Sequence, residues 1–216
     1  MMIKIPKIIH IIWIGPRKFP YLNYMQTYKK LNPTWKIKFW TNEKIPKLIN
    51  EKAFNKMNSW AAKADVLRLE ILYKYGGIYV DADSKCLKSL DPLIDNMTCF
   101  GMTGNHGNVA NGTIGCTKNH EAFKDLVYNL DKHLQYLRTL KLNKKYGISI
   151  FNVAGTGYIT KILRKYTDFV QIDKGLKKST RKLIGTFKDK QVIENGYIVH
   201  KNAKSWKSKR TRRIKV

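Results

Sequence analysis

The sequence predicts an α/β fold with a mostly parallel central sheet and helices on both faces. Short runs of β-branched and aromatic residues alternate along the chain with segments of helical periodicity. A helical segment also leads through Gly76 and Gly77 into a short apolar run, which is the helix, turn and strand order of such folds. No linker-like Pro, Gly or Ser segment divides the 216 residues, so we expect a single domain over 1–216.

The first half of the chain begins with an apolar run and continues in strand–helix order. Pro33 marks the end of the first predicted helix, and the glycine pair marks the end of the third. Alternation and β-branched content predict strands over 7–14, 36–40 and 78–81, whereas helical spacing predicts helices over 21–31, 44–50 and 59–75.

The second half predicts further strands, two helices and a loop. Strands are expected over 98–102, 113–116 and 192–200, and helices over 120–140 and 158–165, with a Gly/Asn-rich loop over 104–112. The longer helix carries its apolar residues on one face, which indicates packing against the core: Phe123, Leu126, Val127, Leu130, Leu134 and Leu137.

Asp81 and Asp83 lie at the carboxyl end of the third predicted strand. In open α/β sheets, ligands bind at the carboxyl ends of the strands. Two residues apart on a strand, the two side chains would point to the same side. Such hard oxygen donors suit Mg2+ or Mn2+ that carries substrate phosphates. An isolated Asp-x-Asp is a weak signal, because most copies are solvated loop acids.

Asp65 and Arg68 share one face of the helix that precedes this strand. Their spacing of three residues admits an intrahelical ion pair, worth a few tenths of a kcal/mol at a surface. The functional interpretation is that both groups point into the same cleft as Asp81. Several other enzyme classes lose support, because the chain has no complete dinucleotide fingerprint, no Walker A string and no Gly-x-Ser-x-Gly elbow.

The ordered pattern of these residues resembles the hallmark of the sugar-binding Asp-x-Asp glycosyltransferases of family 32, and more distantly the glucosylating domains of large clostridial toxins. The central pattern is Ala61, Asp65, Arg68, Gly76, Gly77, Tyr79, Asp81 and Asp83, with supporting segments at 8–15 and 200–206. The resemblance implies a Rossmann-like GT-A fold. It also implies a metal-dependent, retaining enzyme that moves a hexose or N-acetylhexosamine from a nucleotide-diphosphate sugar to a glycan or other hydroxyl acceptor.

The resemblance further implies a role for each site residue. Asp83 is expected to bind Mn2+ or Mg2+ together with His200, although the toxins use a carboxylate at the histidine position. Asp81 would contact ribose or sugar hydroxyls, Asp65 would bind the sugar, and Arg68 would brace Asp65. The other expected donor contacts are Trp13 with the base, Tyr79, Asn111 with the sugar, and Ser205 and Trp206 with the diphosphate. A core tryptophan and a turn asparagine are the simpler alternatives for Trp13 and Asn111. A UDP-sugar is favoured as donor, with GDP-mannose as an alternative.

The net charge of +27 predicts a polyanionic partner. Lys and Arg number 42 against 15 acids, so nucleotide diphosphates, anionic lipid head groups and nucleic acid would all be attracted. We expect no specific nucleic-acid partner, and electrostatic contact with an anionic membrane is compatible with the charge. A basic tail begins at about residue 201, and a solvated tail is its simplest interpretation.

The sequence leaves two rival functions and suggests a location. A metal-dependent nucleotidyltransferase could use the same acid pair, and a non-catalytic polyanion-binding protein would need only the charge. The early apolar run over 8–14 is interrupted by His10 and is shorter than the roughly 20 residues of a membrane span. Without a recognisable signal peptide, and with three cysteines in no metal or disulfide pattern, we expect a cytoplasmic protein or one peripheral to a membrane.

Overall fold

A computed structural model describes residues 4–104, 107–139, 148–172, 184–186, 196–201 and 213–214. Its strands are β1 (Ile8–Ile12), β2 (Lys36–Trp40), β3 (Gly77–Val80), β4 (Ser84–Cys86), β5 (Cys99–Thr103), β6 (Val109–Cys116), β7 (Ile148–Ser149), β8 (Phe169–Ile172), β9 (Ile184–Thr186), β10 (Ile198–His200) and β11 (Arg213–Ile214). Its α-helices are α1 (Leu22–Leu31), α2 (Glu51–Lys56), α3 (Trp60–Tyr75), α4 (Asp91–Ile94), α5 (Glu121–Tyr128), α6 (Leu130–Thr139), α7 (Ile150–Val153) and α8 (Thr156–Leu163).

The main sheet has six strands in the order β2-β1-β3-β6-β5-β8. Strand β6 is antiparallel to both of its neighbours, whereas the pairings β1 with β2, β1 with β3 and β5 with β8 are parallel. Five strands therefore run in one direction and one runs against them. The predicted mostly parallel α/β sheet is confirmed.

Buried layers cover both faces of this sheet. Along β3, Tyr79 packs into one layer while Ile78 and Val80 pack into the other, as the alternation of side chains along a strand requires. The first layer contains residues of α2, α3, α5, α6, α7 and α8, and the second contains residues of α1 and α4. The prediction of helices on both faces is confirmed.

The glycine pair between α3 and β3 turns the chain back beside the helix. Both residues have positive φ angles, +64° at Gly76 and +96° at Gly77, which favour glycine. A Cβ atom at Gly77 would lie 2.5 Å from the carbonyl oxygen of Ile8, so the position also lacks room for a side chain. Because the chain reverses here, the first half of α3 lies beside the carboxyl end of β3.

The predicted helix over 44–50 is wrong. A short 3-10 turn covers Asn42–Lys44, and the helix forms later, as α2. Pro46 lacks a backbone N–H and restricts its neighbour, which explains the non-helical chain around it. The backbone N–H groups of Ile49 and Asn50 donate to the buried Glu70 carboxylate at 3.0 and 2.7 Å, so a distant acid fixes where α2 begins.

Two other predicted boundaries also differ. The single helix over 120–140 is two helices, α5 and α6, that meet at Asn129, although its apolar face is buried as predicted. Strand β6 begins at Val109, inside the predicted loop 104–112, because Val109 and Ala110 pair with Thr103 and Met102 of β5. Of the predicted strand over 192–200, β10 is observed, and residues 192–195 lie outside the described residues.

Two smaller sheets accompany the main one. Strands β4, β10 and β9 form the first, in which His200 of β10 pairs with Ser84 of β4. Strand β11 pairs with β7 in the second. Within the described part of the chain, no helix has both the length and the apolar character to cross a bilayer. The β4–β10 pairing matters most for function, since it brings residue 200 beside residues 81–84.

Candidate active site

Asp81 and Asp83 lie in a tight turn between β3 and β4. The prediction that they sit on the strand itself is wrong, because β3 ends at Val80. The carbonyl oxygen of Asp81 accepts from the backbone N–H and the hydroxyl of Ser84, at 3.0 and 2.6 Å. The Ser84 hydroxyl also meets the hydroxyl of the fully buried Tyr28 at 2.6 Å. The two acids are therefore brought together by this turn, which α1 supports, and not by the alternation of side chains along a strand.

One ligand atom each from Asp81, Asp83 and His200 lies within 4.8 Å of the other two. His200 is buried, and the two acids are partly exposed. The backbone N–H of Lys201 donates to the Asp83 carbonyl at 3.0 Å, which fixes the end of β10 against the turn. Carboxylate oxygens suit Mg2+ or Mn2+, and an imidazole nitrogen favours a transition metal. The donor set therefore fits a divalent cation.

Gly112 keeps space open beside this group. A Cβ atom there would lie 2.6 Å from Oδ2 of Asp81 and 3.3 Å from Cε1 of His200. A larger residue at this position would displace the Asp81 carboxylate. The absence of a side chain is thus a second observation that agrees with a ligand position between these groups.

Arg68 joins the helix acid to the turn acid. Its Nη1 lies 3.1 Å from Oδ1 of Asp65, and its Nη2 lies 3.7 Å from Oδ1 of Asp81. The residue is only 5% exposed, so the simpler alternative of a surface ion pair with little energetic weight does not apply. Nε and Nη1 of Arg68 are buried without a hydrogen bond of good geometry among the described residues. Coulomb attraction to the carboxylates of Asp65 and Asp81 therefore offsets much of the cost of burying the guanidinium charge.

Tyr79 lies between Arg68 and Asp81. Its hydroxyl accepts from Nη2 of Arg68 at 3.1 Å and donates to Oδ1 of Asp81 at 2.9 Å. The guanidinium carbon lies 4.1 Å from the centre of the tyrosine ring. Since Tyr79 is only 3% exposed, its position favours a support for Asp81 over the direct donor contact predicted from the sequence.

Burial raises the pKa values of Asp65 and Asp81. It raises the pKa of Asp65 to about 7, against the opposing effect of the Arg68 guanidinium. Burial also raises the pKa of Asp81, again opposed by Arg68. A positive charge placed close to these carboxylates would favour their ionised forms. The charge of Arg68 thus does not fully offset the cost of burying these two carboxylates, and an added cation would offset more of it.

A β-bulge in β6 faces the site. Gly101 of β5 pairs with Ile114, but the next residue, Met102, pairs with Ala110. The intervening residues 111–113 are therefore extra in β6, and such bulges re-aim side chains near active sites. Asn111 Nδ2 donates to Oδ1 of Asp65 at 3.0 Å, and Thr113 Oγ1 lies 3.1 Å from Nε2 of His200.

Gly112 and Thr113 are the site residues that the sequence reasoning missed. Glycine inside a strand pattern is a signal for a bulge, and it could have drawn attention to residues 111–113. The identity of their partners could not have been read from the sequence, since Asp81 and His200 are distant along the chain. Asn111 is a strand residue in contact with Asp65, and its contact with a sugar stays a prediction.

Trp13 directly follows β1, at the same end of the sheet as Asp81. Its indole N–H donates to the carbonyl of Arg17 at 2.7 Å, and its ring makes edge contacts with Phe19 and Tyr21. The ring is partly exposed, and its stacking on a nucleotide base stays a prediction. Ser205 and Trp206 lie outside the described residues.

Comparison with known proteins finds sequence relatives with glycosyltransferase names. Residues 19–100 match a family described as the glycosyltransferase sugar-binding region containing the DXD motif. The chain is 32% identical to "Uncharacterized glycosyltransferase L373" of Acanthamoeba polyphaga mimivirus, over 58% of this chain and 55% of the relative. It is also 32% identical to "Inositol phosphoceramide mannosyltransferase 3" of Schizosaccharomyces pombe, over 63% of this chain and 41% of the relative. The predicted resemblance to DXD glycosyltransferases is confirmed, and the chain spans about half the length of these relatives.

A solved structure shares the fold. The structure titled "PaToxG Glycosyltransferase" matches with a TM-score of 0.59 at 20% identity, over 75% of this chain and 70% of that one. At this identity the match shows the fold alone. The predicted GT-A type of α/β fold is confirmed.

Proposed function

We propose that this chain, which carries the sugar-binding region of the DXD glycosyltransferases, transfers a hexosyl group from a nucleotide-diphosphate sugar to a hydroxyl acceptor. One observation carries the proposal. Ligand atoms of Asp81, Asp83 and His200 converge within 4.8 Å, beside the buried pair of Asp65 and Arg68. Residues suited to a metal ion that binds a diphosphate therefore lie next to polar residues suited to bind a sugar. Residues 1–216 would form one catalytic domain with a basic tail from about residue 201.

The cation site would use Asp83 and His200, with Oδ2 of Asp81 as a third candidate ligand. A divalent cation supplies charge neutralisation for a departing diphosphate when it is bound. The hydroxyl of Tyr79 would keep Oδ1 of Asp81 oriented, which leaves Oδ2 towards His200 at 3.9 Å from its Nδ1. We infer Mn2+ before Mg2+, because the set includes an imidazole.

Asp65 and Arg68 would position the sugar. Oδ1 of Asp65 is held by Asn111 and Arg68, so its other oxygen can serve as acceptor for a sugar hydroxyl. Arg68 would keep Asp65 in place and offset negative charge near the sugar phosphate. This arrangement explains why a guanidinium is buried beside two acids despite the cost of removing it from water.

We infer a retaining reaction by internal return, as the resemblance implies. The bond between the anomeric carbon and the phosphate oxygen breaks, and the acceptor oxygen forms its bond on the same face. The acceptor proton passes to the departing diphosphate, so atoms and charges balance. Binding that strengthens as negative charge develops on the leaving group would accelerate this step.

The donor and acceptor belong to the same proposal. The yeast relative is named a mannosyltransferase, which supports GDP-mannose and stands against the preference for UDP drawn from the sequence. An acceptor with polyol or sugar hydroxyls agrees with the name of the yeast relative and with the family resemblance. The net charge of +27 supports an anionic acceptor or an anionic membrane beside the site.

The test is a donor panel with Mn2+. GDP-mannose, UDP-glucose, UDP-galactose and UDP-N-acetylglucosamine are incubated separately with the protein, and release of free nucleoside diphosphate is followed. We expect slow hydrolysis of one donor, and faster release when a hydroxyl acceptor is added. Asp83→Asn is the matched control. Release of pyrophosphate from a nucleoside triphosphate and a sugar phosphate, with all four donors intact, would favour a nucleotidyltransferase and overturn the proposal.

A further inference from the structure

We infer that Thr113 is a positioning residue that holds His200 in the tautomer whose Nδ1 can bind a divalent cation. The inference rests on the metal site of the proposed function and adds a residue to it. Thr113 is fully buried in the bulge of β6, and its hydroxyl oxygen lies 3.1 Å from Nε2 of His200. Nδ1 of the same ring lies 3.9 Å from Oδ2 of Asp81. The two ring nitrogens therefore face different partners.

The chemistry of imidazole links these two contacts. A neutral ring carries one N–H and one lone pair, and only the nitrogen with the lone pair can bind a metal ion. If Nδ1 is the ligand, the proton resides on Nε2 and needs a hydrogen-bond acceptor. Oγ1 of Thr113 is that acceptor. The opposite tautomer would direct a proton from Nδ1 towards the position of the cation.

The backbone fixes the distance between the two residues. Thr113 pairs with Val80, the last residue of β3, and His200 pairs with Ser84. Both positions are thus held against the segment that carries Asp81 and Asp83. The β6 bulge permits Asn111, Gly112 and Thr113 to adjoin the site in succession, whereas a regular strand would turn alternate residues away.

Partners of this kind affect metal affinity. A hydrogen bond to the outer nitrogen of a ligating histidine sets its tautomer and orientation, and its loss typically weakens metal binding about 10–100-fold. Thr113→Val keeps the shape of the side chain but removes the acceptor. Thr113→Ser keeps the hydroxyl and removes a methyl group. The two variants separate hydrogen bonding from packing.

The first measurement is the tautomer in the metal-free full chain. Long-range 1H–15N NMR at one neutral pH distinguishes a proton on Nε2 from one on Nδ1, and His200→Gln identifies the signals. We expect the Nε2–H form in the wild type and in Thr113→Ser, and a shift towards Nδ1–H in Thr113→Val. A wild-type ring with its proton on Nδ1 would overturn the inference, and this result does not depend on any variant that folds poorly.

The second measurement is Mn2+ affinity, obtained from the EPR signal of the free ion. Thr113→Val should bind Mn2+ about 10–100-fold more weakly, and Thr113→Ser should bind it much as the wild type does. Thr117→Val, a buried threonine beyond the end of β6, is the control and should leave the affinity unchanged. Equal affinities for Thr113→Val and Thr113→Ser would overturn the inference. If Mn2+ binding depends on the hydroxyl but no nucleotide sugar is consumed, the proposed function fails and the role of Thr113 stands.

Discussion

The two ends of β3 are each accompanied by a buried histidine, and the histidines have different surroundings. At the amino end, Nε2 of His10 donates to the carbonyl of Gly76 at 2.8 Å, and Nδ1 accepts from the indole of Trp40 at 3.0 Å. Both partners are uncharged, and the imidazole stacks on Trp40 with ring planes 15° apart. At the carboxyl end, His200 faces the Thr113 hydroxyl with one nitrogen and the carboxylate of Asp81 with the other.

The difference separates a residue that stabilises the fold from one suited to a ligand. Burial is nearly the same, 0% exposed for His10 and 7% for His200, so burial alone does not distinguish them. The nature of the partners does. Burial lowers the pKa of His10 to about 4, which keeps it neutral between its two hydrogen bonds. His200 lies among acids whose negative charge a cation would balance.

The largest effect on activity should come from substitution of Asp83, an acid at the carboxyl end of β3. Asp83→Asn preserves shape but removes the charge that binds a divalent cation. We expect the rate of sugar transfer to fall by roughly a hundredfold or more, with little change in the free energy of unfolding. Ala82→Ser is the control in the same turn and should be mild. Full activity of the wild type in EDTA, or equal rates for the two variants, would contradict the metal assignment.

Two glycine substitutions should separate the ends by stability. Gly77→Ala forces a side chain onto a positive φ and against the Ile8 carbonyl, so we expect a loss of about 3 kcal/mol in unfolding free energy. Gly112→Ala contacts the movable end of the Asp81 side chain instead. It should leave stability nearly unchanged and weaken Mn2+ binding. Urea unfolding and Mn2+ titration of both variants test this prediction. It would be contradicted if Gly112→Ala were the more destabilising variant and Gly77→Ala the one that binds Mn2+ more weakly.

The buried acid of α3 should give stability that declines as pH rises. The folded pKa of Asp65, about 7, exceeds its ordinary value of 3.8, so the folded state binds more protons between these values. Relative to Asp65→Asn, the wild type should lose about 2 kcal/mol of unfolding free energy between roughly pH 5 and pH 7. Urea unfolding in metal-free buffer measures the difference. A difference that is flat or grows with pH would show that burial does not control this carboxyl.

His10 should give the opposite dependence. Its folded pKa of about 4 lies below its ordinary value of 6.5, so the unfolded state binds more protons between these values. The stability that it contributes is present above about pH 6.5 and is lost as pH falls. Relative to His10→Gln, the wild type should lose about 1.5 kcal/mol between roughly pH 6.5 and pH 5. Acid unfolding of the two proteins checks the sign, and an opposite trend would indicate that His10 is charged in the fold.

The elements around the glycine pair could be predicted because their signals are local. The apolar spacing of α3, the stop at Gly76 and the β-branched character of β3 lie within one stretch of sequence. The break at Asn129 and the start of α2 could not be predicted in the same way. The start of α2 depends on Glu70, which lies 20 residues beyond Asn50 in the sequence and accepts a hydrogen bond from the Asn50 backbone N–H in the folded chain.

The grouping of four acidic and basic residues of the candidate site could be predicted, because they are close in sequence. Asp65, Arg68, Asp81 and Asp83 belong to one ordered pattern, and the structure brings them together. The contribution of Thr113 depends on the register shift between β5 and β6 and on the pairing of β10 with β4. The pairing of β10 with β4 joins segments that are distant along the chain, so no local pattern reports it, whereas a glycine inside the β6 pattern is a local signal for the register shift.

The most direct test of a metal site at the carboxyl end of β3 is pulsed EPR of bound Mn2+. Measured with UDP or GDP present, the spin-echo modulation should show coupling to one imidazole nitrogen. We expect this coupling to vanish in His200→Gln and to persist in His10→Gln, since, of these two histidines, it is His200 that lies within 4.8 Å of ligand atoms of both turn acids. Coupling that persists in His200→Gln, or the absence of bound Mn2+ from the wild type, would contradict the account.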